Sequence, residues 1–176
     1  MLDANLALGA ELGTSEAETI AVPVPDYCND VKVMPATWGM MADSVFRLVN
    51  ERRSAGATCG DVVKPPVTPL VNDPAIYCAA AKHAKDMAAN NYLSHIGQNG
   101  WTALKRITTA GYTPLSYAEQ NIAAGYSTAA AVVDAWMANP QDCNNIMAPM
   151  FVNAGVSYYG VTGSTYGYWT MTFGRP

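Results

Sequence analysis

Three short stretches of the sequence put polar side chains at the ends of packed elements, where they could take part in chemistry. They are residues 92–95 (Tyr-Leu-Ser-His), residues 118–122 (Ala-Glu-Gln-Asn-Ile) and residues 136–146, which include Asp142 and Asn145. A histidine close to carboxylates has a raised pKa, which suits a cation site or a proton-transfer role. These stretches therefore indicate acid–base chemistry or ion binding.

Other kinds of site find no support in the sequence. The chain has no G-x-S-x-G nucleophile elbow, and Ser94 would point away from His95 if that segment is extended. Its glycines form neither a G-x-G-x-x-G nor a Walker phosphate pattern. The formal net charge is -4 with no broad basic surface, and no apolar run approaches the roughly 18 residues of a membrane span. We therefore expect no nucleotide, no nucleic-acid partner and no transmembrane segment.

The four cysteines, Cys28, Cys59, Cys78 and Cys143, lie far apart and form no C-x-x-C pair. This spacing disfavours a zinc knuckle or a thioredoxin-like site and favours two long-range disulfides, for which three pairings are possible. Disulfides imply an oxidising compartment, and free buried cysteines in a cytosolic protein are the alternative. Residues 1–20 lack a basic segment followed by an apolar one, so a signal peptide is either absent or already removed.

The N-terminal residues differ in composition from the remainder of the chain. Residues 1–30 contain six acidic residues and no lysine or arginine, whereas residues 31–176 contain ten basic and eight acidic residues. Residues 1–42 mix proline, glycine and short apolar pieces without periodicity, which predicts a partly extended acidic arm. We place the start of the folded domain near Asp43, so that residues 43–176 form one domain.

Helical periodicity and capping residues predict four helices, near residues 44–54, 73–91, 101–110 and 127–138. The Asp73-Pro74 pair is the clearest helix start, because aspartate caps a helix well and proline fits its first turn. Residues 57–72 predict a loop, and residues 154–173 predict an antiparallel hairpin. Helices followed by a hairpin indicate an α+β fold.

Two further features are given structural interpretations. His83 lies on the apolar stripe of the second helix, so we interpret it as a core histidine that donates to a backbone carbonyl. The aromatic residues of the hairpin are interpreted as cross-strand partners, with a hydrophobic or sugar-binding groove as the alternative. These residues are Tyr158, Tyr159, Tyr166 and Tyr168.

Six motifs occur in order between the first predicted helix and the C-terminus. They are Asn50 with Arg53; Asp86-Met87 with Ser94-His95; Arg106 with Gly111-Tyr112; residues 119–125 (Glu-Gln-Asn-Ile-Ala-Ala-Gly); Trp136 with Pro140 and Asn145-Ile146; and Tyr168-Trp169 with Phe173-Gly174. In these motifs the chain resembles the bacterial branch of the CAP superfamily, also called the SCP domain. That superfamily includes cysteine-rich secretory proteins, antigen-five allergens and plant pathogenesis-related proteins. The resemblance covers residues 43–176 and leaves out residues 1–42.

The resemblance implies an α-β-α sandwich, in which helices flank a small antiparallel sheet. It also implies a Cys59–Cys143 disulfide, because bacterial relatives commonly have cysteines at these two places. If the resemblance holds for that pair, the two remaining cysteines form a Cys28–Cys78 disulfide, which would tether the N-terminal arm to the second helix.

The family has a cleft with two histidines and acidic residues, and some members bind zinc there. The resemblance assigns the first histidine to His95 and the first glutamate to Glu119, and it places Asp142 where the family has its second histidine. One nitrogen and two oxygens are a harder and weaker set of zinc ligands. We therefore expect His95, Glu119 and Asp142 to converge on a cleft that requires no cofactor and binds a divalent metal weakly. A purely structural His95–Glu119 pair is the alternative.

The resemblance implies a secreted or cell-surface module that binds a lipid, a sterol, a metal ion or a protein without catalysis, and we expect a monomer. One alternative is a hydrolase with His95 as general base and Glu119 orienting it, although no nucleophile is visible. Another alternative is a structural cell-surface module with a vestigial cleft, which the aspartate at position 142 favours.

Overall fold

The computed structural model describes residues 26–176, which form an α+β fold with helices on both faces of a small sheet. The helices are α1 (Ala36–Ala55), α2 (Pro74–Asn90), α3 (Ala103–Thr109), α4 (Ala129–Ala138) and α5 (Pro140–Ile146), and a 3-10 turn spans Asn29–Val31. The strands are β1 (Ala57–Cys59), β2 (Val62–Lys64), β3 (Val71–Asn72), β4 (Tyr117–Ala124), β5 (Asn153–Gly160) and β6 (Gly167–Arg175). The predicted α-β-α sandwich is confirmed.

The main sheet has the strand order β3-β5-β6-β4. Strands β5 and β6 form the C-terminal hairpin, and β4 pairs antiparallel with β6, which places Glu119 opposite Phe173. The two-residue edge strand β3 runs parallel to β5, and β1 and β2 form a separate antiparallel pair. The ring of Tyr158 lies 4.5 Å from that of Trp169, its partner across the hairpin, which agrees with the cross-strand interpretation.

The larger part of the core lies between one face of the sheet and helices α1, α4 and α5. Val156, Trp169 and Met171 project from the sheet into this core, where Val45 of α1 and Trp136 of α4 meet them. All five side chains are almost completely buried. Apolar burial of this extent is the main force that holds the helices on the sheet.

On the other face of the sheet, helix α2 lies directly against strand β5. A side chain added at Gly155 would come within 2.2 Å of the amide nitrogen of Tyr77, so glycine is required for this close approach. The helix begins where the sequence predicts, since the carboxylate of Asp73 accepts hydrogen bonds from the amides of Ala75 (2.9 Å) and Ile76 (3.1 Å). These interactions fix the position of α2 relative to the sheet.

The guanidinium of Arg53, which is completely buried, joins α1 to two other parts of the chain. Its Nε and Nη2 donate to the carbonyl of Thr68 at 2.9 and 2.6 Å. Its Nη1 donates to the carbonyls of Ile146 (2.6 Å) and Ala148 (3.0 Å), and Nη2 also donates to that of Phe151 (3.3 Å). Burial lowers the pKa of Arg53 to about 10. One side chain therefore satisfies four backbone carbonyls.

Two disulfides are present, Cys28–Cys78 and Cys59–Cys143, and these are the pairs expected from the sequence. The first joins the segment before the 3-10 turn to α2, across a separation of 50 residues. The second joins β1 to α5, across a separation of 84 residues. Each disulfide thus links an element near the start of the described residues to one much later in the chain.

Several element boundaries differ from those predicted. Helix α1 begins at Ala36, and the predicted start near residue 44 is wrong. The additional turns are stabilised by tertiary packing, because the ring of Trp38 lies 4.8 Å from that of Tyr159 on the hairpin. Helix α4 begins at Ala129, after its cap Thr128, and so starts two residues later than predicted. Of the predicted arm, residues 1–25 lie outside the described residues.

Two predicted irregular regions contain strands. Residues 57–72, predicted as a loop, include β1, β2 and β3. Strand β4 was not predicted, because the polar side chains of Gln120 and Asn121 are buried in it and hide the alternation typical of a strand. The amide of Asn121 donates to the carbonyl of Asp142 at 3.0 Å, so α5 supplies the partner that this buried side chain needs.

Candidate ligand-binding cleft

His95 and Glu119 line the same cavity, whose volume is about 400 Å³. We call this cavity the cleft. Its walls come from the segment after α2, the start of α3, strand β4 and the start of α5. The lining residues are His95, Ile96, Thr102, Ala103, Leu104, Ala118, Glu119, Gln120 and Gln141. The structure thus brings two of the three predicted cleft residues to one cavity.

Two buried side chains hold the backbone of the segment that carries His95. Nε2 of His83 lies 2.7 Å from the carbonyl oxygen of Ser94, and Nη2 of Arg106 donates to the carbonyl of His95 at 2.9 Å. Arg106 also donates to the carbonyl of Trp101 at 2.6 Å. Because the core binds two consecutive carbonyls, the backbone at His95 is fixed while its side chain stays exposed.

The carboxylate of Asp86 secures both ends of the same segment. It accepts hydrogen bonds from the hydroxyl of Tyr92 at 2.5 Å and from the amide of Gln98 at 3.0 Å. The side-chain amide of Asn90 donates to it as well, at 2.9 Å. Burial, together with the hydrogen bond to Asp86, raises the pKa of Tyr92 to about 12, so the tyrosine remains a hydrogen-bond donor at neutral pH.

Glu119 reaches the cleft from strand β4 and is half-buried. Its carboxylate accepts a hydrogen bond from the hydroxyl of Tyr117, and this hydrogen bond raises the pKa of Tyr117. The next residue, Gln120, accepts from Nη2 of Arg106 at 3.4 Å. Arg106 therefore connects the backbone at His95 with the strand that carries Glu119.

Asp142 lies on the short helix α5 and is half-buried. Burial raises the pKa of its carboxyl group, and the charge of His95 acts in the opposite direction. Its neighbour Gln141 lines the cleft, whereas Asp142 is not among the lining residues. At this end of the cleft, the side chain that lines the cavity is thus the amide of Gln141 and not the carboxyl group of Asp142.

The donor set does not match a zinc site of the two-histidine kind. Within residues 26–176, no three side chains of histidine, cysteine, aspartate or glutamate are grouped so that they could hold a metal ion. His95, Glu119 and Asp142 are therefore not arranged as a three-ligand set. The other histidine, His83 of α2, is completely buried in the interior of the protein, as predicted.

Protonation of His83 should destabilise the fold at mildly acidic pH. Burial, reinforced by the charge of Arg106, lowers the pKa of His83 to about 4, against about 6.5 in an unfolded chain. The neutral ring therefore stabilises the fold fully above pH 6.5, and this contribution is lost as the pH falls toward 4. We expect a loss of roughly 3 kcal/mol across that range.

Urea unfolding at a series of pH values measures this loss. The His83→Gln variant cannot take up the proton but keeps a donor for the carbonyl of Ser94, so its stability should depend less on pH between 6.5 and 4. A variant with the same pH dependence as the parent would contradict the assignment to His83.

No role was predicted for Arg106, Asp86 or Gln120, which position the cleft. The only signal was the place of these three residues in the shared motifs, since their partners come close only in the folded chain and no residue pattern reveals them. Tyr117 and Gln141 gave no signal either, because exposed polar residues at element ends are common.

The sequence profile of the cysteine-rich secretory protein family, CAP, matches residues 46–173. This range includes every residue that lines the cleft. The chain belongs to the CAP family, as its motifs suggested.

Several proteins similar to this chain come from bacteria. The chain is 30% identical over 125 residues to the uncharacterized protein YkwD of Bacillus subtilis (strain 168), a match that covers 70% of this chain and 46% of that protein. The chain therefore spans less than half of the length of this relative. Within residues 26–176, no helix combines the length and the apolar character needed to cross a membrane.

Solved structures give the same fold. An extracellular protein containing an SCP domain from Bacillus anthracis str. Ames aligns with a TM-score of 0.66 and 25% identity, over 82% of this chain and 44% of that one. An outer surface protein from Borrelia burgdorferi aligns with a TM-score of 0.65 and 17% identity, over 76% and 90% of the two chains. A cysteine-rich secretory protein from Staphylococcus aureus subsp. aureus Mu50 has a TM-score of 0.59 and 13% identity, over 81% and 40%. The last two share the fold alone.

Proposed function

We propose that this chain is a secreted or cell-surface CAP domain that binds a lipid or a sterol in the cleft without chemical turnover. The observation that carries the proposal is an apolar rim beside a polar floor. Ile96 and Leu104 line the cleft with 46% and 48% of their surfaces exposed, and His95 and Glu119 supply the polar groups. A ligand with one polar group and an apolar body matches this arrangement.

Exposed large apolar side chains are scattered over many proteins, but their grouping at a cavity mouth favours a binding site. We infer that Asp142 borders the same site, because the charge of His95 acts to lower the pKa of its carboxyl group. The polar groups would orient the head of the ligand while the rim covers its body.

The absence of turnover is inferred from the lack of a nucleophile. Among the described residues that line the cleft, the one hydroxyl is that of Thr102, and its Oγ1 accepts from the amide of Lys105 at 3.2 Å as the cap of α3. All four cysteines are in disulfides. The proposed extracellular location is supported by these disulfides and by the Bacillus anthracis relative, which is described as extracellular.

Two fluorescent probes test the proposal, cis-parinaric acid for lipids and dehydroergosterol for sterols. At least one should bind in a saturable titration, and replacing both Ile96 and Leu104 with serine should weaken its binding at least tenfold, because about 1.4 kcal/mol of apolar contact corresponds to a factor of ten. The matched control is Val63→Ser, since Val63 is 77% exposed on β2 and outside the cleft. That variant should bind as the parent does.

Three results would contradict the proposal. The first is that neither probe binds. The second is that binding is equally strong in the Ile96→Ser/Leu104→Ser variant. The third is that the protein hydrolyses an ester substrate in steady turnover that His95→Ala abolishes. The last result would favour the hydrolase alternative. Circular dichroism of each variant shows whether a loss of binding comes from unfolding.

A further inference from the structure

A second cavity, with a volume of about 330 Å³, lies on the outer side of α2. One wall consists of Tyr27 and Asp30 from the N-terminal segment, and the others come from α2, α3 and the loop that contains Trp101. We call it the arm cavity. The wall that contains Tyr27 lies outside residues 46–173, the range that the CAP family profile matches.

Several contacts hold this added wall in place. The Cys28–Cys78 disulfide attaches it to α2, and Asp30 pairs with Lys82 and Lys85, each at 2.9 Å. The ring of Tyr27 stacks on that of Trp101 with centroids 5.8 Å apart, and the ammonium of Lys82 lies 4.9 Å from the Tyr27 ring. The arm cavity is therefore built from firmly positioned residues on both sides.

Two buried polar atoms of residues that line the arm cavity have no hydrogen-bond partner within residues 26–176: Nδ1 of His83 and Nε of Arg106. The exposed fractions of these residues are 0% and 4%. Since Nε2 of His83 faces the carbonyl of Ser94, Nε2 carries the proton and Nδ1 is an acceptor. Nε of Arg106 is a donor. Buried groups of this kind usually have partners, so one donor and one acceptor in the walls of the cavity are left for a ligand that reaches them.

The charges around the arm cavity nearly cancel. Asp30 neutralises one of its two lysine partners, and the negative charge of Asp86 offsets that of Arg106. His83 is neutral at pH 7, because burial lowers its pKa to about 4. A phosphate or another multiply charged anion would find a single unbalanced lysine, which is a poor match.

We propose that the arm cavity binds a neutral carbohydrate. A sugar hydroxyl both donates and accepts, so sugar hydroxyls can accept from Nε of Arg106 and donate to Nδ1 of His83. Tyr27 and Trp101 supply the apolar contacts that binding pockets for small molecules need beside a few polar groups. The cavity lies at the lower end of the usual range of pocket volumes, so it fits one or two sugar rings rather than a long chain.

Isothermal titration calorimetry of the full chain tests the proposal with two probes, tri-N-acetylchitotriose and maltotriose, at concentrations up to about 10 mM. At least one should bind, and Tyr27→Ala and Trp101→Ala should each weaken binding at least tenfold. Tyr166→Ala is the matched control, because Tyr166 is 43% exposed on the hairpin loop and outside the arm cavity. That variant should bind as the parent does.

A second measurement on the unaltered protein avoids any effect of substitutions on folding. The bound sugar should shift the backbone NMR signals of Tyr27, Asn99 and Arg106 and leave those of Glu119 and Gln141 unchanged. Binding of neither sugar would overturn the proposal and leave solvent as the partner of the two buried atoms. Shifts confined to the cleft, or binding of inorganic phosphate at the arm cavity in place of sugar, would overturn it as well.

Discussion

Replacing Arg53 with methionine should lower the free energy of unfolding by roughly 4 kcal/mol. Methionine keeps much of the apolar volume of the side chain, so the loss reports hydrogen bonds more than an empty cavity. Without the guanidinium, the carbonyls of Thr68, Ile146 and Phe151 lose donors in places that water reaches poorly. Each buried carbonyl left without a partner costs about 1–3 kcal/mol.

The neighbouring Arg52 provides a matched control for the Arg53 prediction. Its guanidinium pairs with Asp134 at 2.8 Å, but its side chain is 49% exposed. Surface ion pairs contribute little, so Arg52→Met should cost less than about 1 kcal/mol. Urea unfolding of both variants measures the difference. If Arg53→Met were no less stable than Arg52→Met, Arg53 would not be the link between α1 and the two other parts of the chain.

Removing the Cys59–Cys143 disulfide should have a comparable effect. The bond closes a loop with a sequence separation of 84 residues, and constraining the unfolded chain over a loop of this length is worth about 4 kcal/mol. The Cys59→Ala/Cys143→Ala variant should therefore unfold at a much lower urea concentration than the parent. The bond also holds β1 against α5, the helix that bears Gln141 and Asp142, so binding in the cleft should weaken.

The Cys28→Ala/Cys78→Ala variant is the natural comparison for the second prediction. Its loop is of similar size, with a sequence separation of 50 residues, so the loss of stability should be similar. This bond attaches the N-terminal segment and not α5, so binding in the cleft should be retained. Equal stability of the Cys59→Ala/Cys143→Ala variant and the parent would contradict the prediction, as would equal effects of the two pairs on the cleft.

Local signals predicted the elements whose ends are set by neighbouring residues. Helix α2 begins at Asp73-Pro74 because the cap and the first turn involve residues adjacent in sequence. The hairpin was predicted for the same reason, since its aromatic and β-branched residues pair across a short turn. Helix α1 was predicted too short, because Pro35 before it provides no side-chain cap. Its first turns are stabilised by the packing of Trp38, a residue of α1, against Tyr159 of the hairpin.

Some residues of the cleft could be predicted from the sequence and others could not. His95 and Glu119 were assigned from motifs, and the structure places both in one cavity. The third predicted residue, Asp142, does not line that cavity, although the charge of His95 acts on the pKa of its carboxyl group. The roles of Arg106 and His83 depend on backbone carbonyls that come close only in the folded chain. The arm cavity was not predicted, because Tyr27 and Trp101 meet through a disulfide between distant residues.

The contact at Gly155 has a consequence for the attachment of α2. A side chain at this position would meet the backbone of Ile76 and Tyr77, so the start of the helix can lie this close to β5 only with glycine there. Because the contact joins two backbones, no side-chain rotamer can change the distance between the start of α2 and β5. A CAP domain with a larger residue at this place would have to hold the start of its helix farther from the sheet.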